Sequence, residues 1–422
     1  MKYRAAKGTH DVLPEEAARW RRVERAFADV FGRYGYGEVR LPIFEETALF
    51  ARGLGDTSDI VEKEMYTFPD KGGNSLTLRP EGTAGIVRAF LQNSLDKLPA
   101  PVKLWYAGPM FRYERPQKGR QRQFHQIGAE CFGATGPEAD AELLEMTVAA
   151  FRGLGVGGLE LQVNSLGDAA CRPAYRTALV AYYRPLAARL CENCRRRLET
   201  NPLRLLDCKA EGCRELRPDA PSAPDFLCDP CRAHFARVRS LLEEAGVAHT
   251  VNPAMVRGLD YYTRTTFELT AASGLGAQDT VAAGGRYDGL VEEFGGPPTP
   301  AIGFAAGVER LLMLLPEGGE PAVPRPLFIA TLGAAARGHA WRWLADLRGR
   351  GVAADWDPEG HSLKSQMRRA DRLGAQEVVI VGESEIASGR ALVRDMATKE
   401  QREVPLGELV ETLAPRRYAE GG

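Results

Sequence analysis

The fold is decided by two neighbouring stretches of alternating polar and apolar residues, KLWYAGPMFRY at 103–113 and QFHQIGAECF at 123–132. Successive side chains of a β-strand point to opposite faces, so alternation at period two predicts two strands. The polar residues between them, ERPQKGRQR at 114–122, are short enough to form a hairpin tip. A hairpin joins antiparallel neighbours, so the sequence predicts an antiparallel sheet and not the parallel sheet of βαβ units.

Helix and strand patterns alternate on both sides of this hairpin. Residues 14–34 carry apolar side chains at helical spacing, and residues 36–43 follow as an extended stretch that contains a proline. Further predictions are a strand running into a turn at 75–83, helices at 84–95 and 138–151, and strands at 159–164 and 261–269. This pattern predicts an α+β fold in which helices flank the antiparallel sheet.

Two changes of composition divide the chain. The segment from about 170 to 250 is helical and rich in cysteine, and the sheet pattern resumes after it, so we interpret it as an insertion. Residues 315–326 are dense in proline and glycine and are typical of a linker. Beyond them, apolar strands at 327–332 and 377–381 enclose helices at 340–348 and 363–373, which predicts a small α/β domain. The expected domains are therefore residues 1–325, including the insertion, and 326–422.

Composition excludes several classes of protein. The 422 residues are 44% hydrophobic and 26% charged, which is ordinary for a soluble chain with room for two or three domains. The formal net charge is −1, so binding to nucleic acid would require a local basic surface. No apolar run is long enough to span a bilayer, and the N-terminus lacks the apolar core of a signal peptide. We therefore expect a cytoplasmic protein that does not bind membranes.

The predicted sheet places polar side chains where a core would be apolar. Gln126, Gly128 and Glu130 share one strand face by period two, and Arg112 and Glu81 lie on neighbouring strands. A buried arginine can simply pair with a carboxylate. Hydrogen-bonding side chains beside a glycine that leaves room for a ligand favour a binding site instead.

A second arginine, Arg310, follows the glycine-rich strand at 301–307 in the early turns of a helix. The alternative is a solvated arginine at an ordinary strand-to-helix junction. Arginines on separate elements of one sheet would suit a triphosphate, because guanidinium groups match phosphate geometry and stay charged.

Two further segments combine glycine, arginine and tyrosine, VRGLDYYT at 256–263 and AGGRYDGL at 283–290. Each places a cation and a tyrosine beside backbone flexible enough to approach a small ligand closely. Such segments are unusual in a simple core, and we interpret them as parts of a ligand site.

These motifs together resemble those of a known family. Residues 36–42, 111–115 and 303–310 resemble motifs 1, 2 and 3 of class II aminoacyl-tRNA synthetases, and the two glycine–arginine segments are similar to the histidine signatures of histidyl-tRNA synthetases. The resemblance extends over essentially the whole chain. It implies a histidine–tRNA ligase that activates L-histidine with Mg²⁺-ATP, transfers it to the 3′ end of tRNA(His), and binds the anticodon through its C-terminal α/β domain. It also implies a homodimer, through motif 1.

The resemblance assigns roles to individual residues. Arg112, Arg257 and Arg310 would be catalytic cations. Glu81, Thr83 and Gln126 would hold the α-amino group, and Glu130 and Tyr262 would bind the imidazole nitrogens. The complete histidine-binding set is Glu81, Gly82, Thr83, Arg112, Gln126, Glu130, Arg257, Tyr261, Tyr262 and Tyr287, and the ATP-binding set is Arg112, Arg120 and Arg310.

Basic residues in two places are candidates for tRNA contacts. The hairpin tip at 115–122 would meet ATP or the acceptor end of the tRNA, and a C-terminal helix carries Lys364, Arg368, Arg369 and Arg372. The alternative for both is a solvated charged surface.

Cysteines form two pairs with the spacing of zinc knuckles, Cys191 with Cys194 and Cys228 with Cys231. The interval between the pairs is longer than usual, so the sequence leaves open a structural Zn²⁺ site and a set of reduced thiols. Cys208 and Cys213 could substitute for either pair.

A rival from another class is a synthetase-like regulatory subunit of histidine biosynthesis that binds histidine without charging tRNA. Such paralogues lack the anticodon domain and parts of the histidine signatures. Residues 327–414 and Arg257 are present here, which favours the enzyme.

Overall fold

The structure is a computed structural model that describes residues 3–55, 58–256, 261–273, 275, 279–316 and 325–414. The chain divides into two compact units, Met1–Glu320 and Pro321–Gly422. Each unit has its own sheet and its own core.

The described part of the first unit contains a sheet of eight strands in the order β1-β5-β6-β11-β10-β9-β7-β8 and a smaller sheet in the order β2-β4-β3. Only β1 with β5 and β7 with β8 pair in parallel within these two sheets. The strands are β1 (Gly37–Glu38), β2 (Phe44–Glu46), β3 (Tyr66–Pro69), β4 (Ser75–Leu78), β5 (Val102–Phe111), β6 (Gln123–Phe132), β7 (Leu159–Ser165), β8 (Thr250–Val251), β9 (Thr263–Ala271), β10 (Thr280–Arg286) and β11 (Ala301–Gly307). The predicted antiparallel sheet is confirmed.

Helices cover this sheet. They are α1 (Pro14–Arg33), α2 (Thr47–Leu54), α3 (Thr83–Gln92), α4 (Pro137–Gly153), α5 (Arg172–Tyr183), α6 (Glu192–Thr200), α7 (Glu211–Arg214), α8 (Asp229–Glu244), α9 (Leu290–Glu293) and α10 (Val308–Leu314). Helix α1 buries Val23, Phe27 and Phe31 at helical spacing, and the Phe31 ring meets Phe304 of β11 at 6.1 Å. The apolar stripe of α1 is therefore what attaches it to the sheet.

The extended stretch expected at 36–43 is shorter than the sequence suggests. It contributes only the two residues of β1, and the sheet pairing stops before Pro42. The Val39 N–H still donates to the Trp105 carbonyl at 2.8 Å, and nothing in the structure explains why the pairing ends there.

The segment between β7 and β8 is the cysteine-rich insertion, and its longer elements are helical. Ion pairs connect it to the segment that follows α2, since Asp59 accepts from Arg197 at 2.8 Å and from Arg204 at 3.0 Å. Arg204 is buried, but the Asp59 side chain is 40% exposed, so water reaches the carboxylate side of this contact.

A buried polar network connects the insertion to the sheet. Asp140 of α4, Arg286 at the end of β10 and His234 of α8 are nearly or fully inaccessible to solvent. The Arg286 Nε donates to Asp140 at 3.0 Å, and the His234 Nε2 lies 2.8 Å from the same carboxylate. Burial alone would raise the pKa of Asp140, but hydrogen bonds from His234 and Arg286 and the charge of Arg286 hold it below its usual value.

The second unit is a five-stranded sheet in the order β13-β12-β14-β15-β16, with apolar clusters on both faces. Its strands are β12 (Leu327–Thr331), β13 (Ala354–Trp356), β14 (Glu377–Val381), β15 (Arg390–Asp395) and β16 (Gln401–Pro405), and its helices are α11 (Ala334–Gly349), α12 (Leu363–Arg372), α13 (Glu383–Ser388) and α14 (Leu409–Leu413). β12 pairs in parallel with β13 and β14, so this unit has the predicted α/β character.

Within the described residues, every helix is too short or too polar to cross a lipid bilayer.

We predict that Asp140→Asn lowers the free energy of unfolding by about 3–5 kcal/mol, because it removes the only fully buried carboxylate that pairs with Arg286 among the described residues and leaves only the partly exposed Asp288. Glu142→Gln is the matched control, since Glu142 lies on the same helix with its side chain 42% exposed and pairs with Lys103. The control should change the free energy by less than about 1 kcal/mol. Urea denaturation followed by circular dichroism measures both, and equal effects would contradict the prediction.

Candidate functional site

The predicted histidine-binding residues meet at one cavity above the middle of the large sheet. Seven of them line it: Glu81, Thr83, Arg112, Gln126, Tyr261, Tyr262 and Tyr287. They come from the β4–α3 connection, the β5–β6 hairpin and the segments next to β9 and β10. Residues far apart in the sequence thus converge, and their individual roles stay a prediction.

Glu81 is held by the start of α3. Its carboxylate accepts the backbone N–H groups of Thr83 at 2.7 Å and Ala84 at 2.8 Å. Burial raises the pKa of Glu81, although these two hydrogen bonds oppose the shift. The first turn of the helix therefore fixes the orientation of a carboxylate that lines the cavity.

Glu130 lies directly behind the cavity wall and is fully buried. It accepts the Thr83 hydroxyl at 2.9 Å and the Tyr287 hydroxyl at 2.6 Å. Its cross-strand neighbour is Gly303, where a Cβ atom would overlap the Glu130 carboxyl group. Burial raises the pKa of Glu130 to about 8, against the opposing effects of the Tyr287 and Thr83 hydrogen bonds.

Gln126 presents a buried acceptor to the cavity. Its Oε1 atom has no hydrogen-bond partner among the described residues. Buried side-chain acceptors are nearly always hydrogen-bonded, so this atom points to a donor group on a ligand.

The glycines Gly82 and Gly128 leave room for a neighbouring side chain, and the role of Gly82 in binding histidine stays a prediction. A Cβ atom at either position would overlap the Tyr106 ring, which is 2% exposed and fills the space above both. The prediction that Gly128 leaves room for a ligand is therefore wrong, because a cross-strand aromatic side chain already occupies that room.

A second, larger cavity adjoins the first and shares Arg112, Gln126, Ala283 and Ala305 with it. It also contains Arg120 and Arg310, so the three arginines of the predicted ATP-binding set line one space. Arg112 Nε donates to the Pro80 carbonyl at 2.9 Å, and Arg310 Nε donates to the Gly119 carbonyl at 3.2 Å. Burial lowers the pKa of Arg310, and the nearby charge of Arg120 lowers it further. A bound anion would offset the repulsion between these cations.

Sequence reasoning missed the acidic and insertion-derived residues of this larger cavity. Glu268 and Asp279 line it from β9 and the connection to β10, and Asp207 and Lys209 reach it from the insertion. The only sign of these residues in the sequence is that Asp207 and Lys209 flank Cys208. A helical pattern alone does not show that this part of the insertion reaches the cavity.

The second glycine–arginine segment is structural for the most part. Arg286 is fully buried and, besides Asp140, donates to the Ala134 carbonyl at 2.8 Å. A Cβ atom at Gly284 would overlap the backbone of Gly303 on the neighbouring strand. A close strand pair explains Gly284, and a buried ion pair explains Arg286. Within this segment, Ala283 and Tyr287 line the cavity, and Tyr287 is the only one of the two with a polar side chain.

Arg257, with the neighbouring residues 258–260, lies outside the described residues.

The proposed zinc ligands separate into two groups. Cys191 and Cys194 cluster with Cys208 and Cys213, whereas Cys228 and Cys231 cluster with Asp168 and Cys171. The single site of Cys191, Cys194, Cys228 and Cys231 is therefore wrong, because the two pairs begin different helices of the insertion.

The four basic residues predicted in the second unit all lie on α12. Lys364, Arg368 and Arg372 are exposed, and Arg369 pairs with Asp355 at 3.2 Å. Gln366 anchors this helix, because its side chain bonds both the N–H and the carbonyl of Thr331.

Comparison with known proteins agrees with the geometry. The chain matches the family model described as histidyl-tRNA synthetase at residues 8–311, and the model of an anticodon binding domain at residues 327–416. A histidine–tRNA ligase of Desulforudis audaxviator is 54% identical over 418 residues, which cover 98% of this chain and 99% of that protein.

Solved structures share the fold. The apo histidyl-tRNA synthetase of S. aureus superposes with a TM-score of 0.83 at 40% identity, covering 97% of this chain and 99% of that one. A structure described as an ATP phosphoribosyltransferase regulatory subunit/histidyl-tRNA synthetase from Bacillus halodurans has a TM-score of 0.65 at 22% identity, covering 90% of this chain and 99% of that one. The second similarity concerns the fold alone.

We predict that Glu130→Gln stabilises the protein at slightly alkaline pH. The folded state keeps the Glu130 proton up to about pH 8, whereas an unfolded carboxyl group loses it near its ordinary pKa of 4.5. The wild type therefore loses stability as the pH rises through this window, by at most about 1.4 kcal/mol per pH unit, and glutamine does not ionise.

Urea denaturation at about pH 5.5 and about pH 7.5 tests this prediction. The advantage of Glu130→Gln over the wild type should grow between the two conditions. Glu138→Gln is the control at an exposed position of α4, and it should differ from the wild type by less than about 0.5 kcal/mol. An advantage that does not change with pH would refute the assigned protonation state.

Proposed function

Because this chain belongs to the histidyl-tRNA synthetase family, we infer that it is a histidine–tRNA ligase, which forms aminoacyl-tRNA for protein biosynthesis. The observation that carries this conclusion is the 54% identity to a histidine–tRNA ligase over 98% of the chain. The enzyme binds ATP, histidine and tRNA, and it uses ATP together with a divalent metal ion, as class II synthetases do.

The reaction has two steps. A carboxylate oxygen of histidine attacks the α-phosphorus of ATP, the bond from that phosphorus to the bridging oxygen breaks, and pyrophosphate leaves. A hydroxyl group of the terminal ribose of the tRNA then attacks the carbonyl carbon of histidyl-adenylate, and AMP leaves. Negative charge builds up on the α-phosphate in the first step, so fixed cations near it are a large catalytic term.

We propose that Arg112 and Arg310 are the cations that stabilise this negative charge in the larger cavity, with Arg120 near the outer phosphates. Carbonyl groups hold Arg112 and Arg310 in place, so little reorganisation is needed when the phosphates arrive. Arg257, which lies outside the described residues, is the third proposed catalytic cation.

We propose that the smaller cavity binds histidine. The free Oε1 acceptor of Gln126 suits the α-ammonium group, and the Glu81 carboxylate supplies an opposite charge beside it. Tyr262 and Glu130, through the gap left by Gly303, suit the imidazole ring, whose two nitrogens need one donor and one acceptor. The buried polar groups would stay unpaired with an amino acid that lacks the ring, which disfavours its binding.

We propose Mg²⁺ as the divalent ion. Glu268 and Asp279 supply carboxylate oxygens in the same cavity as the arginines. Mg²⁺ prefers one or two carboxylates together with substrate phosphates, which fits this pair. Its chemistry would be to neutralise the charge of the outer phosphates.

We propose that residues 1–325 catalyse both steps and that residues 326–422 bind the anticodon. The match of residues 327–416 to an anticodon binding domain and the exposed basic face of α12 support the second assignment. The basic tip at 115–122, which contributes Arg120 to the larger cavity, would meet ATP or the acceptor end of the tRNA. A cytoplasmic homodimer is the assembly we propose from the family resemblance.

The regulatory-subunit alternative is not favoured, because the relatives named histidine–tRNA ligase match over the whole chain and the anticodon domain is present. The Bacillus halodurans structure shares the fold at too low an identity to support that alternative.

We predict that ATP–pyrophosphate exchange occurs with histidine and with no other proteinogenic amino acid. The assay follows labelled pyrophosphate incorporated into ATP, with each amino acid in turn. Exchange with a different amino acid would refute the specificity, and the absence of exchange with all of them would favour the regulatory alternative.

We predict that Gln126→Leu weakens histidine binding by about 10- to 100-fold, the cost of one hydrogen bond to a charged group. The KM for histidine in the exchange assay measures this loss. Gln92→Leu, at the exposed C-terminal end of α3, is the control and should leave this KM unchanged. An unchanged KM for Gln126→Leu would remove the residue from the histidine site.

A further inference from the structure

The insertion contains the same cysteine turn twice. Cys191 and Cys228 each stand immediately before a helix, with φ −64°, ψ 161° and φ −65°, ψ 161° respectively. Each is followed three residues later by a second cysteine in the first helical turn. Two separate chain segments therefore present a pair of thiols in the same local geometry, the arrangement of a zinc knuckle.

Each turn is completed by a second pair of side chains. Cys208 and Cys213 join the first turn, and Asp168 and Cys171 join the second. Within each group of four, the ligand atoms lie within 4.8 Å of one another. Two complete sets of four ligands result, one with four sulfur atoms and one with three sulfur atoms and a carboxylate.

The two groups also share a hydrogen bond. The backbone N–H of Cys191 donates to Sγ of Cys213 at 3.3 Å, and the backbone N–H of Cys228 donates to Sγ of Cys171 at 3.1 Å. In each group, a sulfur of the second pair accepts the N–H that begins the turn. Such bonds orient and stabilise sulfur ligands around a metal ion.

The distances suit a metal ion better than a disulfide. Sγ of Cys191 lies 3.8 Å from Sγ of Cys208. Tetrahedral zinc with bonds of about 2.3 Å places its sulfur ligands about 3.8 Å apart, whereas a disulfide bond is about 2.05 Å long. All eight cysteines are free thiols in this structure.

The apolar core around the second group is too small to stabilise this part of the insertion by itself. The apolar cluster at this place consists of Cys171, Leu227 and Cys231, with Cys228 packed against it. So few apolar atoms contribute little hydrophobic stabilisation, and small cores of this kind are commonly held by a metal ion. Gly167 adopts a left-handed φ of +64°, and a Cβ atom there would lie only 3.0 Å from Sγ of Cys171.

Both groups connect to elements that form the catalytic cavities. Asp207 and Lys209, on either side of Cys208, line the larger cavity with Arg112 and Arg310. Asp168 accepts Arg264 at 3.4 Å, and Arg264 is the second residue of β9, which begins directly after Tyr262. One group therefore fixes the insertion side of the larger cavity, and the other fixes the strand that carries the tyrosine pair.

We propose that the insertion binds two zinc ions, one by Cys191, Cys194, Cys208 and Cys213 and one by Asp168, Cys171, Cys228 and Cys231. Thiolate sulfur in a tetrahedral set selects zinc among the common divalent ions, and zinc also accepts carboxylate oxygen. The ions fasten the insertion to the sheet and hold its residues at the edge of the catalytic cavities.

Metal analysis of the purified full-length chain tests this directly. Two zinc ions per chain are expected, and Cys194→Ser or Cys231→Ser should each reduce this to one. Cys131→Ala is the matched control, because Cys131 is a buried cysteine of β6 outside both groups, and it should keep both ions. One zinc ion or none in the wild type, iron in place of zinc, or a loss of zinc in Cys131→Ala would overturn the proposal.

Variants of Asp168 distinguish a metal ligand from a residue that only supports the fold, because only a ligand can be replaced by cysteine with the zinc content restored. Asp168→Ala should leave one zinc ion, and Asp168→Cys should restore two, because it converts the second group to four sulfur ligands. If both variants keep two ions, the carboxylate is not a ligand and the second set is refuted.

A measurement on the wild type avoids variants that fail to fold. A mercurial reagent that caps thiols should release both zinc ions, detected with a chromogenic chelator. Zinc that stays bound after the thiols are capped would refute the proposal, because the thiols would then not be its ligands. Immediate removal of all the zinc by an excess of the chelator alone would also refute it, because that behaviour is typical of a weak surface site.

Discussion

A carboxyl group buried in the middle of a sheet, that of Glu130, constrains the residues around it. A buried carboxyl group without partners would cost several kcal/mol, so it requires donors and space. Thr83 at the start of α3 and Tyr287 after β10 supply the donors, and Gly303 of β11 supplies the space. Three elements are thereby positioned relative to β6, and all three contribute residues to the wall of the smaller cavity.

The two halves of the candidate site differ in how they are held. The smaller cavity is built on strands and the first turn of α3, where hydrogen bonds fix each carboxylate. The larger cavity depends on the hairpin tip, since Arg310 bonds the carbonyl of Gly119, and on the insertion through Asp207 and Lys209. Rigid elements suit the recognition of a small amino acid, whereas adjustable ones suit a large nucleotide and an incoming tRNA end.

Much of this could be predicted from local patterns. Period-two alternation identified β5 and β6, and the short polar connection established that they are antiparallel. The side chains that share a strand face, Gln126 and Glu130, followed from the same alternation. These features depend on residues that are close in the sequence, so the sequence alone was enough to predict them.

The failures depend on distant partners. Arg286 resembled a ligand-binding cation because its counter-ion Asp140 lies on α4, far away in the sequence. Gly128 resembled a gap because nothing in the sequence shows that the Tyr106 ring fills it. The cysteine pairs were grouped by their identical spacing, although the chain reversal between α6 and α7 brings Cys208 and Cys213 to the first pair instead.

The common wall of the two cavities has a practical consequence for inhibitors. Arg112, Gln126, Ala283 and Ala305 line both spaces, so the two cavities are direct neighbours. A single compound with an imidazole group at one end and a purine at the other could occupy both at once. Once one end is bound, the other end is present at a high effective concentration, so such a compound gains affinity that neither fragment has alone.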